Sequence, residues 1–341
     1  MSLSEPIEPM LAHPADQLPA GEPWRYEPKW DGFRCIAIRE GKTVRLQSRN
    51  KKYMQDAFPE VVDALQEQPV GRVLDGELMV GRDGDYSDSF TDLQSRLRVT
   101  GKRLQRLVRD LPVTYVVFDQ LAGPRGGALL DHPFDERRAM LAEAAGRWQT
   151  PRLQLSPQTP LLEDARAWMA HAGRGIEGVV AKRGDAAYEI GRRSHAMLKV
   201  KVQHTIDCVV GGIGTESNGR TVLLLGLHDP DDGLLHYVGQ TSPVPATVAQ
   251  AVRAALPEAS GDGGFNGRQP ALENRWSKKE RAPWQAVPPR VIVETAYDRL
   301  DTTFRHRPKA LRLRDDKDPT DCRFDQEPRT VTDGTVGSVE G

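Results

Sequence analysis

The chain has 341 residues, 38% of them apolar and 28% charged, with a net charge of −1. That length exceeds one ordinary core and predicts two domains with a very polar surface. No apolar run is long enough to span a bilayer, and the first twenty residues lack the basic start and apolar stretch of a signal peptide. The three cysteines, Cys35, Cys208 and Cys322, stand far apart. This spacing excludes a zinc site and predicts a reducing, cytoplasmic setting.

Strand signals dominate the first part. In "YEPKWDGFRC", Lys29, Asp31 and Arg34 crowd round Gly32, between a turn expected at Pro28 and a strand expected from Cys35. "CIAIREGKTVRLQS" reads as a hairpin turning at Gly41, with Arg49 just after it. "DAFPEVVDALQEQ" has apolar residues at helical spacing. In "RVLDGELMV", Asp75 and Glu77 share one strand face while Leu74, Leu78 and Val80 share the other. The run "SRLRVTGKRLQRLVRD" carries Arg96, Arg98, Lys102, Arg103, Arg106 and Arg109. It is a basic helix or loop, and with a later cluster from Arg299 to Lys317 it suggests a phosphate-backbone footprint.

"VTYVVFDQL" is an apolar strand ending on Phe118 and Asp119, followed by two helices closed by Gly146 and Gly173. "EGVVAKR" opens with Glu177 and carries Lys182 five residues later. Strict alternation puts those two on opposite faces, so one of them is expected beyond the regular strand. In "LKVK", Lys199 and Lys201 point the same way. After Val202 the texture changes to short strands between Gly, Asn and Asp turns, with a helix in "SPVPATVAQAVRAAL" and a strand in "PRVIVETAYDRL". "GGIGTESNG" reads as a loop there, and the last residues read as disordered.

Lysines and carboxylates recurring on strand faces suit a polyanion with a divalent cation, yet neither a P-loop nor a dinucleotide-binding glycine motif is present. Lys29-Trp30-Asp31-Gly32-Phe33-Arg34 has the KxDGxR form of the covalent nucleotidyltransferases, and its companions follow in family order. These are "SRN" at 48–50, "LDGEL" at 74–78, "YVVFD" at 115–119, "EGVVAK" at 177–182, "LKVK" at 198–201 and a late "RLRDDKDPTDC" similar to the RxDK element. The set, with "PMLA" ahead of it, resembles the bacterial ATP-dependent DNA ligases of C type, close to the ligase module of the D-type end-joining enzymes.

The resemblance implies an α+β protein. Residues 1–202 would form a nucleotidyltransferase (adenylation) domain of antiparallel sheets with flanking helices, and 203–328 an OB-fold β-barrel, followed by a disordered tail at 329–341. It leaves no room before Lys29 for a large N-terminal DNA-binding domain. It makes Lys29 the nucleophile that takes AMP from ATP, crowded toward its neutral form by Arg34, Lys182, Lys199 and Lys201. Glu27 would help read the adenine and Phe118 would stack on it. Glu77 would meet the ribose, and Arg34 and Arg49 sugar or nick phosphate. Lys199 and Lys201 would clamp the α-phosphate, Lys182 would help bind the nucleotide, and Asp31 would support the site. Glu177, with Glu77, would hold magnesium or manganese. Arg314, Asp316 and Lys317 would orient the pyrophosphate as the second domain swings about 202–205. The implied partner is nicked duplex DNA, with a primase-polymerase or the Ku end-binding protein as companions to a monomeric enzyme. An RNA ligase or capping enzyme is the alternative within this chemistry, and an inactive nucleic-acid-binding homologue the alternative outside it.

Overall fold

A computed structural model describes residues 3, 5–81, 86, 89–170, 175–254, 264–271, 283–327 and 329–331. The chain divides into two compact units, Met1–Lys201 and Val202–Gly341.

The first unit contains β1 (Leu11–Pro14), β2 (Trp24–Trp30), β3 (Phe33–Glu40), β4 (Thr43–Ser48), α1 (Pro59–Gln66), β5 (Val73–Val80), α2 (Ser89–Arg96), α3 (Gly101–Asp110), β6 (Val113–Ala122), α4 (Phe134–Ala145), β7 (Leu153–Leu155), α5 (Leu162–Ala170), β8 (Ile176–Arg183) and β9 (Arg193–Lys201). They build two sheets, ordered β1-β9-β8-β2 and β4-β3-β5-β6-β7. Both are antiparallel except for one parallel edge strand each, β1 on β9 and β7 on β6. One apolar cluster lies between the larger sheet and its helices, centred on Leu46, Phe58, Val61, Leu78 and Leu141. A second unites Ile36, Ile38 and Leu121 of that sheet with Met197 of the smaller one and Tyr188 between β8 and β9. The sheets therefore share a core, and the strand ends facing it can hold polar groups from both.

Several local expectations change. Pro28 is no turn: it lies inside β2, paired with Val179, and β2 is the outer strand of its sheet. An edge strand tolerates a residue without an N–H because its outward face needs no donor. The turn falls at Asp31 and Gly32 instead, and the next strand starts at Phe33. A Cβ at Gly32 would stand 2.1 Å from the Leu78 carbonyl oxygen, so only glycine lets the chain pass from one sheet to the other here.

Glu177 and Lys182 both lie within β8, contrary to the expectation that one falls outside the strand. Pro28 pairs with Val179 and Trp30 with Ile176, so Glu177 and Gly178 together oppose the single residue Lys29. This β-bulge supplies the extra residue that restores both side chains to one face. Gly178 has φ +149°, and a Cβ there would sit 2.1 Å from the Val200 carbonyl oxygen.

The basic run is split. Arg96 is fully buried, giving two hydrogen bonds to Glu60 (2.6 and 2.9 Å), so it belongs to the core and not to a surface footprint. Gly173 lies outside the described residues.

The second unit contains β10 (Gln203–Thr215), β11 (Thr221–His228), β12 (Leu235–Gln240), α6 (Ala246–Ala254), β13 (Trp284–Ala286), β14 (Ile292–Tyr297), β15 (Lys309–Leu313) and β16 (Arg329–Val331). One coiled sheet, ordered β12-β11-β10-β14-β15, wraps a core of Val209, Leu223, Leu225, Val238 and Val293, with β13 and β16 added to β10. The stretch read as a glycine loop is strand as far as Thr215. The Phe265 and Trp284 rings pack where side chains of Gly211 and Gly212 would otherwise be. The tail expected to be structureless from 329 begins with β16, paired to Gln203–Thr205, and 332–341 lie outside the described residues.

Candidate active site

Six strands and one turn deliver side chains to a single cleft between the two sheets of the first unit. β2 brings Glu27 and Lys29, β3 Arg34, β5 Glu77, β6 Phe118, β8 Lys182 and β9 Lys199, and Arg49 sits at the rim after β4. Cross-strand register explains the convergence. Glu27 pairs with Val180, which pairs in turn with Lys199, and Arg34 pairs with Glu77. Paired residues in antiparallel sheets share a face. Asp31 stands beside the cleft, with its backbone N–H bonded to the Gly175 carbonyl.

The cations are not left to repel one another. Lys29 donates to one oxygen of Glu177, and Lys201 Nζ donates to the other at 2.6 Å. Arg34 grips Asp75 with two hydrogen bonds of 2.6 Å, and Lys182 Nζ lies 2.7 Å from Glu27 Oε2. The expected crowding of Lys29 is therefore corrected in part: Arg34 and Lys182 each face a carboxylate of their own, and Lys29 and Lys201 share Glu177. Among the described residues Lys199 shows no such pairing. Burial, with the positive charges of Lys29 and Lys201, lowers its ammonium pKa.

Two carboxylates of the cleft behave oppositely. Burial works to raise Glu177, but Lys29 and Lys201 outweigh it and hold its pKa near about 2, so it is ionised at any physiological pH. Burial dominates at Glu77 and lifts it to about 8 despite Lys29 and Arg34, so this carboxyl keeps its proton near neutrality. A protonated carboxyl can donate a hydrogen bond, whereas an ionised one suits a hard cation.

The aromatic wall is charged on its flanks. The Phe118 ring centre lies 4.7 Å from the Arg34 guanidinium carbon and 4.4 Å from Lys182 Nζ. Neither Lys182 Nζ nor Arg138 Nη1, also close to Glu27, has a hydrogen-bond partner of good geometry among the described residues. Buried donors left unmatched in a cleft call for an acceptor-rich occupant.

Sequence reasoning missed the groups behind this wall. The Tyr188 hydroxyl donates to Asp75 at 2.6 Å and accepts the Met10 backbone N–H at 3.0 Å, so Asp75 is held from two sides. Asp119 takes two bonds of 2.9 Å from Arg137. The face that Asp75 shares with Glu77 was legible, but Tyr188 sits in a connection without periodicity, where no pattern singles it out. Arg314, Asp316 and Lys317 belong to the second unit. Arg314 Nη1 reaches both Asp207 oxygens (3.1 and 3.2 Å), Lys317 Nζ donates to Asp207 at 2.9 Å, and Asp316 takes two bonds from Arg314 (2.7 and 2.9 Å). Asp207, inside a strand-like apolar run, carried no signal of its own.

A family model described as the ATP dependent DNA ligase domain matches residues 9–201, the stretch that carries the cleft. The chain belongs to the ATP-dependent DNA ligases. It is 37% identical to DNA ligase C1 of Mycolicibacterium smegmatis, over 96% of this chain and 95% of that one. It is 33% identical to DNA ligase C of Mycobacterium tuberculosis, over 98% of both. The crystal structure of the ligase domain of M. tuberculosis LigD superposes with a TM-score of 0.50 at 25% identity, covering 93% of this chain and 97% of that domain. For this ligase the likeness extends past the cleft through the second unit, whose coiled sheet fits the OB-fold of the family. Among the described residues no helix is long and apolar enough to cross a membrane.

Proposed function

We propose that this ligase seals nicks in duplex DNA through a covalent lysyl-AMP on Lys29. The observation that carries the reading is that Lys29 shares one cleft with Phe118, Glu77, Arg34, Lys182 and Lys199, drawn from both sheets. A nucleotide needs those groups together: a flat apolar surface for the base, a donor for the ribose and cations for the phosphates.

In the first transfer the Lys29 amine, once deprotonated, forms an Nζ–P bond to the α-phosphate of ATP, and the bond to the β-phosphate oxygen breaks to release pyrophosphate. Lys199 and Lys201 balance the charge that gathers on the α-phosphate. Glu27, engaged by Lys182, braces that lysine and leaves its backbone to meet the adenine on Phe118. Glu77, protonated, donates to the ribose. In the second transfer a 5′-phosphate oxygen takes the AMP and frees Lys29, with Arg34 and Arg49 meeting sugar or nick phosphate and Asp31 supporting the site. In the third the 3′-hydroxyl attacks the 5′-phosphate, closes the backbone and expels AMP. We assign Arg314, Asp316 and Lys317 to the pyrophosphate, with Asp207 keeping the two cations side by side.

Magnesium or manganese fits Glu177, whose ionised carboxylate is partly exposed (21% of its side chain), better than Glu77 with its retained proton. Held there, the ion would supply charge neutralisation at the phosphates. On this reading the protein acts in DNA repair, and we take it to work there as a single cytoplasmic chain.

The test is incubation with magnesium and α-labelled ATP or GTP, followed by denaturing electrophoresis and a chase with nicked duplex. Label from ATP that moves onto DNA and is lost in the Lys29→Ala variant is expected. Labelling from GTP would favour capping chemistry, and an unlabelled protein freed of AMP would sink the assignment.

A further inference from the structure

Helix α3 is difficult to explain as part of a free enzyme. None of its residues is fully buried, and Thr100 at its start caps it with no side-chain hydrogen bond. Its first turn holds Lys102 and Arg103 and no acid, although the positive end of the helix dipole repels cations. Arg106 follows at i+4 and i+3 from these two, spacings at which like charges oppose each other. At 100° per residue, Lys102, Arg103, Arg106 and Arg109 fall within about a third of the circumference and extend about 10 Å along the axis. The half-buried Leu104, Leu107 and Val108 occupy the opposite side. All four cations are exposed, and among the described residues Lys102, Arg103 and Arg106 form no ion pair.

The helix is nonetheless fixed in place. Buried Arg96 at the end of α2 donates to the carbonyl of Leu111, the residue that ends α3, at 3.1 Å while holding Glu60. One arginine of the basic run thus anchors the segment, and the rest are presented outward. The segment leaves the sheet after Val80 and returns at Val113, and Glu77 of the cleft is three residues back along β5, about 10 Å. The late basic cluster differs: Arg307 is paired with Glu216, Arg312 with Glu294, and Arg314 and Lys317 with Asp207.

We propose that α3 is a DNA-docking helix outside the nucleotide cleft, whose unpaired Lys102, Arg103 and Arg106 take phosphates of the duplex flanking the nick. A polyanion supplies the countercharge the helix lacks, and backbone contacts position a duplex without reading its sequence. The inference rests on the ligase reading and adds to it a surface that acts in nick binding but not in lysine adenylylation.

The test compares the wild type, the triple variant Lys102→Gln/Arg103→Gln/Arg106→Gln, and a control with equal charge loss elsewhere, Lys42→Gln/Arg147→Gln/Arg253→Gln. Affinity for a nicked duplex is measured across a salt series, and labelling of Lys29 by ATP is measured without DNA. The helix variant is expected to label normally, to bind at least about tenfold more weakly at low salt, and to flatten the log–log salt slope by about two to three, close to 0.9 per lost phosphate contact. The control should move far less. Equal loss in both variants, or an unchanged slope in the helix variant, overturns the proposal and leaves α3 free for an acidic protein. Failure of the wild type to label or to bind would instead overturn the ligase reading, so the two failures are told apart.

Discussion

Asp75 is wholly buried and holds the Arg34 guanidinium with both carboxylate oxygens, each at 2.6 Å. Tyr188 fixes the same carboxylate from behind, so the arginine that flanks Phe118 is set by residues that do not line the cleft with it. Asp75→Asn should leave Arg34 without a countercharge and cost about 3–5 kcal/mol of stability. Tyr188→Phe should cost about 3 kcal/mol, the loss of a hydrogen bond to a charged group together with the acceptor of the Met10 N–H. Thermal unfolding checks both. If Tyr188 acts through Arg34, its variant should also slow transfer of AMP to DNA more than it slows labelling of Lys29.

Glu27 and Lys182 form a buried pair in which each removes the cost of burying the other. Glu27→Gln and Lys182→Met should each weaken ATP binding and stability. The double variant should lose clearly less than the sum, because the second change no longer strands a charge. Additive losses in ATP titrations of all four proteins would show the two side chains acting independently.

The bulge at Glu177 and Gly178 is the device that turns Glu177 toward Lys29. Gly178→Ala meets the Val200 carbonyl at 2.1 Å and a φ that side chains rarely adopt. It should destabilise by about 3 kcal/mol or more and reduce labelling of Lys29 over tenfold, the strain and the displaced carboxylate acting together. An alanine variant with wild-type labelling would remove the bulge from the account.

Glu77 and Glu177 give opposite pH signatures. Glu77 is raised in the folded state, so the stability it contributes is complete below about pH 4.5 and is lost as pH rises through about 8. Glu177 is lowered, so its contribution is present above about pH 4.5 and is lost as pH falls toward about 2. Unfolding midpoints of Glu77→Gln should fall less than those of the wild type between those two higher limits. Glu177→Gln should lose its deficit only in acid.

In the second unit, Asp207 carries Arg314 and Lys317. Asp207→Asn should take the countercharge from Lys317 and leave Arg314 to Asp316, lower the unit's stability by about 3 kcal/mol and slow pyrophosphate release during labelling. Nick closure from lysine already charged with AMP should be spared, which rapid-mixing assays can separate.

The sequence by itself determined the residues that can do chemistry and most of the elements that hold them. Lys29, Arg34, Glu77, Phe118, Glu177, Lys182 and the two lysines of β9 could be named because they stand in motifs that resemble those of the ligases and follow in their order, while alternation within a strand, a local property, gave only shared faces such as that of Lys199 and Lys201. Local rules failed where another element made the decision. Pro28 sits in a strand because β2 has a free edge, Arg96 is buried because Glu60 and Leu111 receive it, and Gly211 and Gly212 extend a strand because aromatic rings fill the space beside them. The pairing of Arg34 with Asp75, of Lys182 with Glu27 and of Lys29 and Lys201 with Glu177, the bulge that brings Glu177 onto the face of Lys182, and the brace of Tyr188 on Asp75 come from tertiary structure alone. They link residues as far apart in the chain as Glu27 and Lys182, and the energy of a buried charge depends on which partner the fold delivers to it, which no window of sequence contains.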